Sequence, residues 1–123
     1  MKHITLALIA TLALLTGCAT TKLTPEQAAS ADYGESPANY EQIVKDHFSR
    51  SLFDPYSAQY RIGTPYQGFS TKAPILGGGP DKFGYLVDVG VNGKNRFGGY
   101  VGEKQFRLLI KNGQVIREWQ LTY

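Results

Sequence analysis

The sequence predicts an α+β domain, one N-terminal amphipathic helix packed on a three- to four-stranded antiparallel sheet. Three observations carry that expectation. "NYEQIVKDHFSRSL" repeats apolar residues at helical spacing, "YLVDVGV" alternates apolar with small or polar residues, and Asn112-Gly113 joins two strand-like runs.

The helix comes first. Tyr40, Ile43, Val44, Phe48 and Leu52 recur at three- and four-residue intervals and form one apolar stripe, while Glu41, Lys45, Asp46, Ser49 and Arg50 fall largely elsewhere. Two starts are open: Ser36 as cap with Pro37 at the first helical position, or Asn39 as cap with Gln42 reaching back. Pro55 ends the helix by disfavouring helical backbone at Asp54. "YSAQYRI" reads as a short strand, and "GTPYQGFSTKAPILGGGPDK" as a long connection rich in helix and strand breakers.

The remainder reads as sheet. Tyr85, Val87, Val89 and Val91 lie on one face of a strand, with Leu86, Asp88 and Gly90 on the other. "NGKNRFGGYVG" interrupts, "KQFRLLI" resumes, and Asn112-Gly113 is a strong two-residue hairpin signal. A type I′ turn there pairs Phe106 with Trp119, Leu108 with Arg117 and Ile110 with Val115 on one face. Arg107 with Glu118 and Leu109 with Ile116 then fall opposite.

The single cysteine bears on location. Lys2 precedes an apolar run, Ile4 to Leu15, and Thr16-Gly17 supplies the small residues a signal peptidase needs. The run is too short to span a bilayer comfortably as a permanent helix. Leu15-Thr16-Gly17-Cys18 resembles the bacterial lipobox. The resemblance implies cleavage between Gly17 and Cys18, a diacylglyceryl group on the Cys18 thiol and acylation of the freed amine. Two acyl chains already anchor stably. No second cysteine exists within the chain for a disulfide. Ala19, rather than aspartate, follows the cysteine, and the sorting pattern then implies the outer membrane. The domain would face the periplasm, with the cell surface as the other orientation.

The expected organisation is therefore a signal peptide over 1–17, a lipidated cysteine and flexible tether over 18–37, and one small domain over 38–123. The tether segment 19–37 carries Lys22 against Glu26, Asp32 and Glu35, and the chain from Ala38 onward carries eleven Lys/Arg against seven Asp/Glu. That excess is too small to mark a nucleic-acid binder.

A catalytic site is hard to assemble. After cleavage His47 is the one histidine, at the edge of the helix stripe, and no Ser or Thr stands in a nucleophile elbow. Metal-ligand spacing is absent, so neither metal nor cofactor is expected. Asp81 and Asp88 do not read as an acid–base pair, because Asp88 faces outward from a strand and Asp81 lies in a loop. Gly77-Gly78-Gly79 lacks the GK[ST] ending of a phosphate loop.

The segment with most to offer is "VNGKNRFGGYVGEKQF", in which Lys94, Arg96 and Lys104 surround Phe97 and Tyr100 on a glycine-rich backbone. It reads as a wide β-connection whose aromatics fold back over the sheet end. The second reading, compatible with the first and weaker than it, is an exposed recognition loop, since Tyr and Arg anchor many interfaces. "DPYSAQYR" after a helix, then the valine strand and "NGKNRFGGYVG", resembles a motif set of small Gram-negative lipoproteins. There, alanine is common at the position of Gly93. The match runs from Asp54 to Ile110 and implies a shared fold and no reaction.

The expected function is a non-catalytic binding or accessory module for another envelope component. Arg96 and Lys104 would supply charge to that contact, Phe97 and Tyr100 buried area. An inhibitor or exclusion factor at the cell surface, and a small-ligand or peptidoglycan-binding domain, are the alternatives.

Overall fold

The computed structural model describes residues 22–123. Cys18 and the apolar run before it lie outside them. In chain order the elements are α1 (Pro25–Ser30), α2 (Tyr40–Ser49), β1 (Gln59–Ile62), β2 (Tyr66–Thr71), β3 (Pro80–Asn92), β4 (Lys104–Lys111) and β5 (Gln114–Leu121). Single 3-10 turns cover Pro55–Ser57 and Pro74–Leu76. The α+β class holds, with an open antiparallel sheet of five strands rather than three or four.

The extra strand comes from β3, which starts at Pro80 and is thirteen residues long. Proline is tolerated there because it is the first strand residue and owes no ladder hydrogen bond. Along this lengthened strand, β4 pairs with Tyr85–Val91, β1 with Val89–Asn92 and β2 with Pro80–Leu86. The overlaps put β1 and β2 on the same edge of β3, one after the other. Gly63 bridges the gap between them by donating its N–H to the Asp88 carbonyl at 2.8 Å. The stretch read as a breaker-rich connection thus contains β2.

The helix prediction holds for the body of α2, but the helix stops at Ser49, before Pro55 could end it. Asn39 occupies the cap, although its side chain makes no capping bond and Gln42 instead donates to Asp46 Oδ1 at 2.6 Å. Val44 and Phe48 are buried against Val87, Val89, Val91, Leu108 and Ile110, with Tyr40, Ile43, Leu52, Tyr60, Ile62, Phe106 and Val115 at the margin. The Phe48 ring lies 4.9 Å from that of Phe106. This side of the sheet is the core.

The β4–β5 register departs from expectation. Ile110 does face Val115, but Leu109 then faces Arg117, so a bulge inserts Ile116. One extra residue reverses the side-chain alternation beyond it. Trp119 therefore lies opposite Arg107 on the outer face instead of beside Phe106, and Glu118 lies opposite Leu108 on the helix face. The Arg107–Glu118 pair is replaced by two others. Glu118 meets His47 of α2, and Arg107 grips Asp88 with Nε–Oδ1 and Nη2–Oδ2 distances of 2.7 and 3.2 Å.

The outer face is not wholly polar. Leu86 and Leu109 are buried there with no second layer of structure above them among the described residues. Glycines allow it: a Cβ on Gly68 would sit 2.2 Å from Leu86 Cδ1, and one on Gly84 would sit 3.1 Å from Leu109 Cδ1. Each leucine lies flat over a strand that has no side chain at that point.

Residues 22–37, within the expected tether, carry local structure. Thr24 and Gln27 form a reciprocal capping box around the start of α1, a helix with no buried residues. Beyond it the Tyr33 ring packs edge-on against Phe83 at 5.6 Å, Lys111 Nζ donates to the Asp32 carbonyl at 2.9 Å, and Pro37 is buried.

Candidate functional site

Two chain segments meet at the end of the sheet where β3 finishes. Residues 93–103 connect β3 to β4, and residues 50–58 connect α2 to β1. Tyr100 Oη joins them by donating to the Ser57 carbonyl at 2.9 Å.

The 93–103 connection is a built turn. Asn95 Oδ1 accepts from the Phe97 and Gly99 amides at 2.9 and 3.1 Å, and the Asn95 amide donates to the Gly99 carbonyl at 2.8 Å. Asn side chains favour such self-closing turns because a short amide reaches its own backbone two residues on. Gly98 and Gly102 take φ of 79° and 98°, values that disfavour a Cβ. Lys94 bridges to Tyr100, and its Nζ lies 5.1 Å from that ring's centre. Gly93 is buried, and a Cβ there would come within 3.0 Å of Leu52 Cδ2, so alanine would need Leu52 to give way.

Phe97 does not fold back over the sheet end; it is 89% exposed. Phe53, at 71%, and the fully exposed Tyr56 stand on the neighbouring segment, with Val101 at 55%. A hollow of about 190 Å³ lies beside Phe53 and Val101, lined also by Leu52, Lys94 and Lys104 among others. Of the four predicted contact residues, Lys104 lines this hollow and Tyr100 ties its two walls together. Arg96 and Phe97 stand on the turn outside it. Neither Arg96 nor Lys104 forms an ion pair among the described residues. Phe53 and Tyr56 escaped the sequence reading. The available signal was that neither falls on the apolar stripe of the preceding helix.

Asp54 stabilises the second wall. Its Oδ2 accepts from Ser57 Oγ at 2.6 Å, and this bond, with help from the Ser57 amide, Lys94 and the Tyr56 amide, holds the carboxyl below the usual aspartate range. A depressed folded pKa stabilises the fold above the unfolded pKa, and that contribution is lost as pH falls through the folded value. In a carboxyl NMR titration, Ser57→Ala is expected to move the Asp54 midpoint upward, towards that of unstructured aspartate. An unchanged midpoint would remove Ser57 as the main cause.

The other candidates for chemistry are engaged structurally. His47 Nε2 contacts Glu118 and its ring packs edge-on against Phe48 at 5.2 Å, which ties α2 to β5. Asp88 is held by Arg107 and Asp81 by Arg117, so each carboxylate has its own guanidinium. No group of three or more His, Cys, Asp or Glu side chains converges among the described residues, and no helix there is long and apolar enough to cross a membrane.

No protein-family model matches the chain, and no curated protein or solved structure matches it either.

Proposed function

We propose that this chain is a lipid-anchored envelope protein whose domain binds another envelope component without catalysis, through the end formed by residues 50–58 and 93–104. The observation that carries the reading is the display of Phe97. A large aromatic left 89% exposed on a turn that Asn95 closes by two hydrogen bonds loses little conformational freedom on binding. Phe53 and Tyr56 add apolar area beside it, and Lys94, Arg96 and Lys104 make the same end basic. Aromatic anchors with arginine are the composition of interface hot spots. At this end a protein partner is favoured over a small ligand, because the hollow there, about 190 Å³, falls below the roughly 300–1,000 Å³ usual for small-molecule sites. The anchor rests on the lipobox resemblance at Cys18, and a partner in the same envelope follows from it.

Photo-crosslinking in cells tests the surface. A photoreactive residue at Phe97 or Tyr100 is expected to capture one discrete envelope protein that the same residue at Lys45, on the solvent side of α2, does not. Equal background at all three positions would leave residues 93–104 a structural connection only.

A further inference from the structure

The opposite end of the molecule carries an apolar tip that neither the core nor the proposed binding surface uses. Between β2 and β3, Ile75 is 93% and Leu76 70% exposed, directly after Pro74. The tip is held in shape. The Leu76 amide donates to the Ala73 carbonyl at 2.8 Å, Gly77 to Pro74 at 3.0 Å, Gly78 to Ala73 at 3.3 Å, and Lys72 to Gly79 at 2.9 Å. Gly77, Gly78 and Gly79 all take positive φ, which lets this short segment close while Ile75 and Leu76 point away from the protein. Joining two strands does not require two large aliphatic side chains in water, and such residues mark contact surfaces when they are presented together.

We infer that Ile75 and Leu76 are a bilayer-contacting wedge that seats the domain on the lipid surface beside its own anchor, an inference that rests on the reading of Cys18 as lipidated. Two observations and one general argument favour lipid over other occupants. The chain enters the domain at this end: Tyr33 packs on Phe83, three residues into β3, its hydroxyl reaches the Ala28 carbonyl of α1 at 3.4 Å, and Asp32 meets Lys111 beside the β4–β5 turn. The described chain thus reaches the domain nearer the tip than the 93–103 end, and a lipidated Cys18 upstream of it would bring the bilayer to this end. Lys72 and Lys82 bracket the hairpin, and neither forms an ion pair among the described residues, which suits an anionic headgroup layer above an apolar one. Finally, tethering makes insertion an intramolecular event, so two side chains too few to bind a bilayer alone suffice to orient a protein already held there. In this arrangement the thirteen residues of β3, at ~3.3 Å each, carry the Phe97 end about 40 Å out from the lipid surface.

The full-length processed lipoprotein, reconstituted into phosphatidylcholine–phosphatidylglycerol vesicles, tests this. Acylated Cys18 has no free thiol, so Leu76→Cys, Lys72→Cys and Phe97→Cys chains each accept one environment-sensitive fluorophore. Lys72→Cys keeps both apolar side chains intact. Labels at 72 and 76 are expected to shift to the blue and lose most of their emission to doxyl-labelled lipid, while the label at 97 is unaffected. Adding Ile75→Asp to the Lys72→Cys chain should abolish that quenching. Chains that float with the vesicles yet show no quenching at 72 or 76 overturn the wedge and leave the anchor reading intact. Quenching at 97 instead means that the other end docks, and a label at 76 that is shielded from aqueous iodide, unquenched by doxyl-labelled lipid and exposed again when excess lipid dilutes the protein means contact between copies; both overturn it. A processed chain that does not float with vesicles at all removes the anchor reading, and the wedge with it.

Discussion

Leu108→Ala is expected to bring the domain to the edge of unfolding. Leu108 has no exposed surface, and its neighbours Val44, Phe48, Val87, Val89 and Ile110 come from both layers of the fold. Truncating a buried leucine costs about 2–5 kcal/mol, the lost transfer energy plus the cavity left behind. Here the helix and two strands all border that cavity, so no single element can relax to fill it. A domain of this size has roughly 5–15 kcal/mol in total, and each kcal/mol moves the melting temperature by about 4–8 °C in domains of up to a hundred residues. A fall of at least about 10 °C is expected by circular dichroism. The contrasting change is Phe97→Ala, which removes a larger but exposed side chain and should alter stability by no more than about 0.5 kcal/mol. Equal melting points for the two variants would mean that the sheet does not bury this face.

Gly84→Ala should cost nearly as much for a different reason. The added methyl would sit 2.5 Å from the Ile110 carbonyl oxygen and 3.2 Å from its carbon. That oxygen belongs to the backbone of β4, so β3 and β4 must separate to make room, next to the Tyr85–Ile110 rung of the ladder. Overpacking of this kind typically costs about 1–3 kcal/mol. Gly68→Ala is the informative comparison. Its methyl would come closer still, 2.2 Å from Leu86 Cδ1, but that atom is the end of a side chain with other rotamers. Chemical denaturation should therefore rank Gly84→Ala as the less stable of the two. The reverse order would show that Leu86, and not the strand backbone, is the immovable neighbour.

How far the structure was legible depends on which interactions are local. The helix stripe from Tyr40 to Leu52 and the Asn112-Gly113 turn are written in spacings of a few residues, and both were readable. β2 was not, because "YQGFST" mixes glycine and polar residues with aromatics and becomes a strand only when β3 begins at Pro80 instead of near Tyr85. The bulge at Ile116 left no mark in the sequence either. The turn sets the first rung, and the rungs beyond the bulge rely on Glu118 finding His47 on the helix and Trp119 the outer face. The same division applies at the proposed contact surface. Arg96, Phe97, Tyr100 and Lys104 were conspicuous as a cluster within nine residues. Phe53 and Tyr56 join them only through the Tyr100–Ser57 bond, which spans 43 positions.

The central position of β3 has a consequence for how the chain is made. Its partners β1 and β2 precede it, β4 comes after it, and the face it offers to Val44 and Phe48 is the floor of the core. Until β3 has left the ribosome, β1 and β2 have no strand to pair with, and the helix stripe has no surface to cover. Among the described residues, the N-terminal half has no strand partner with which to fold ahead of the rest. It emerges as an open thread and condenses only when its last third arrives, by long-range pairings that are slow to form.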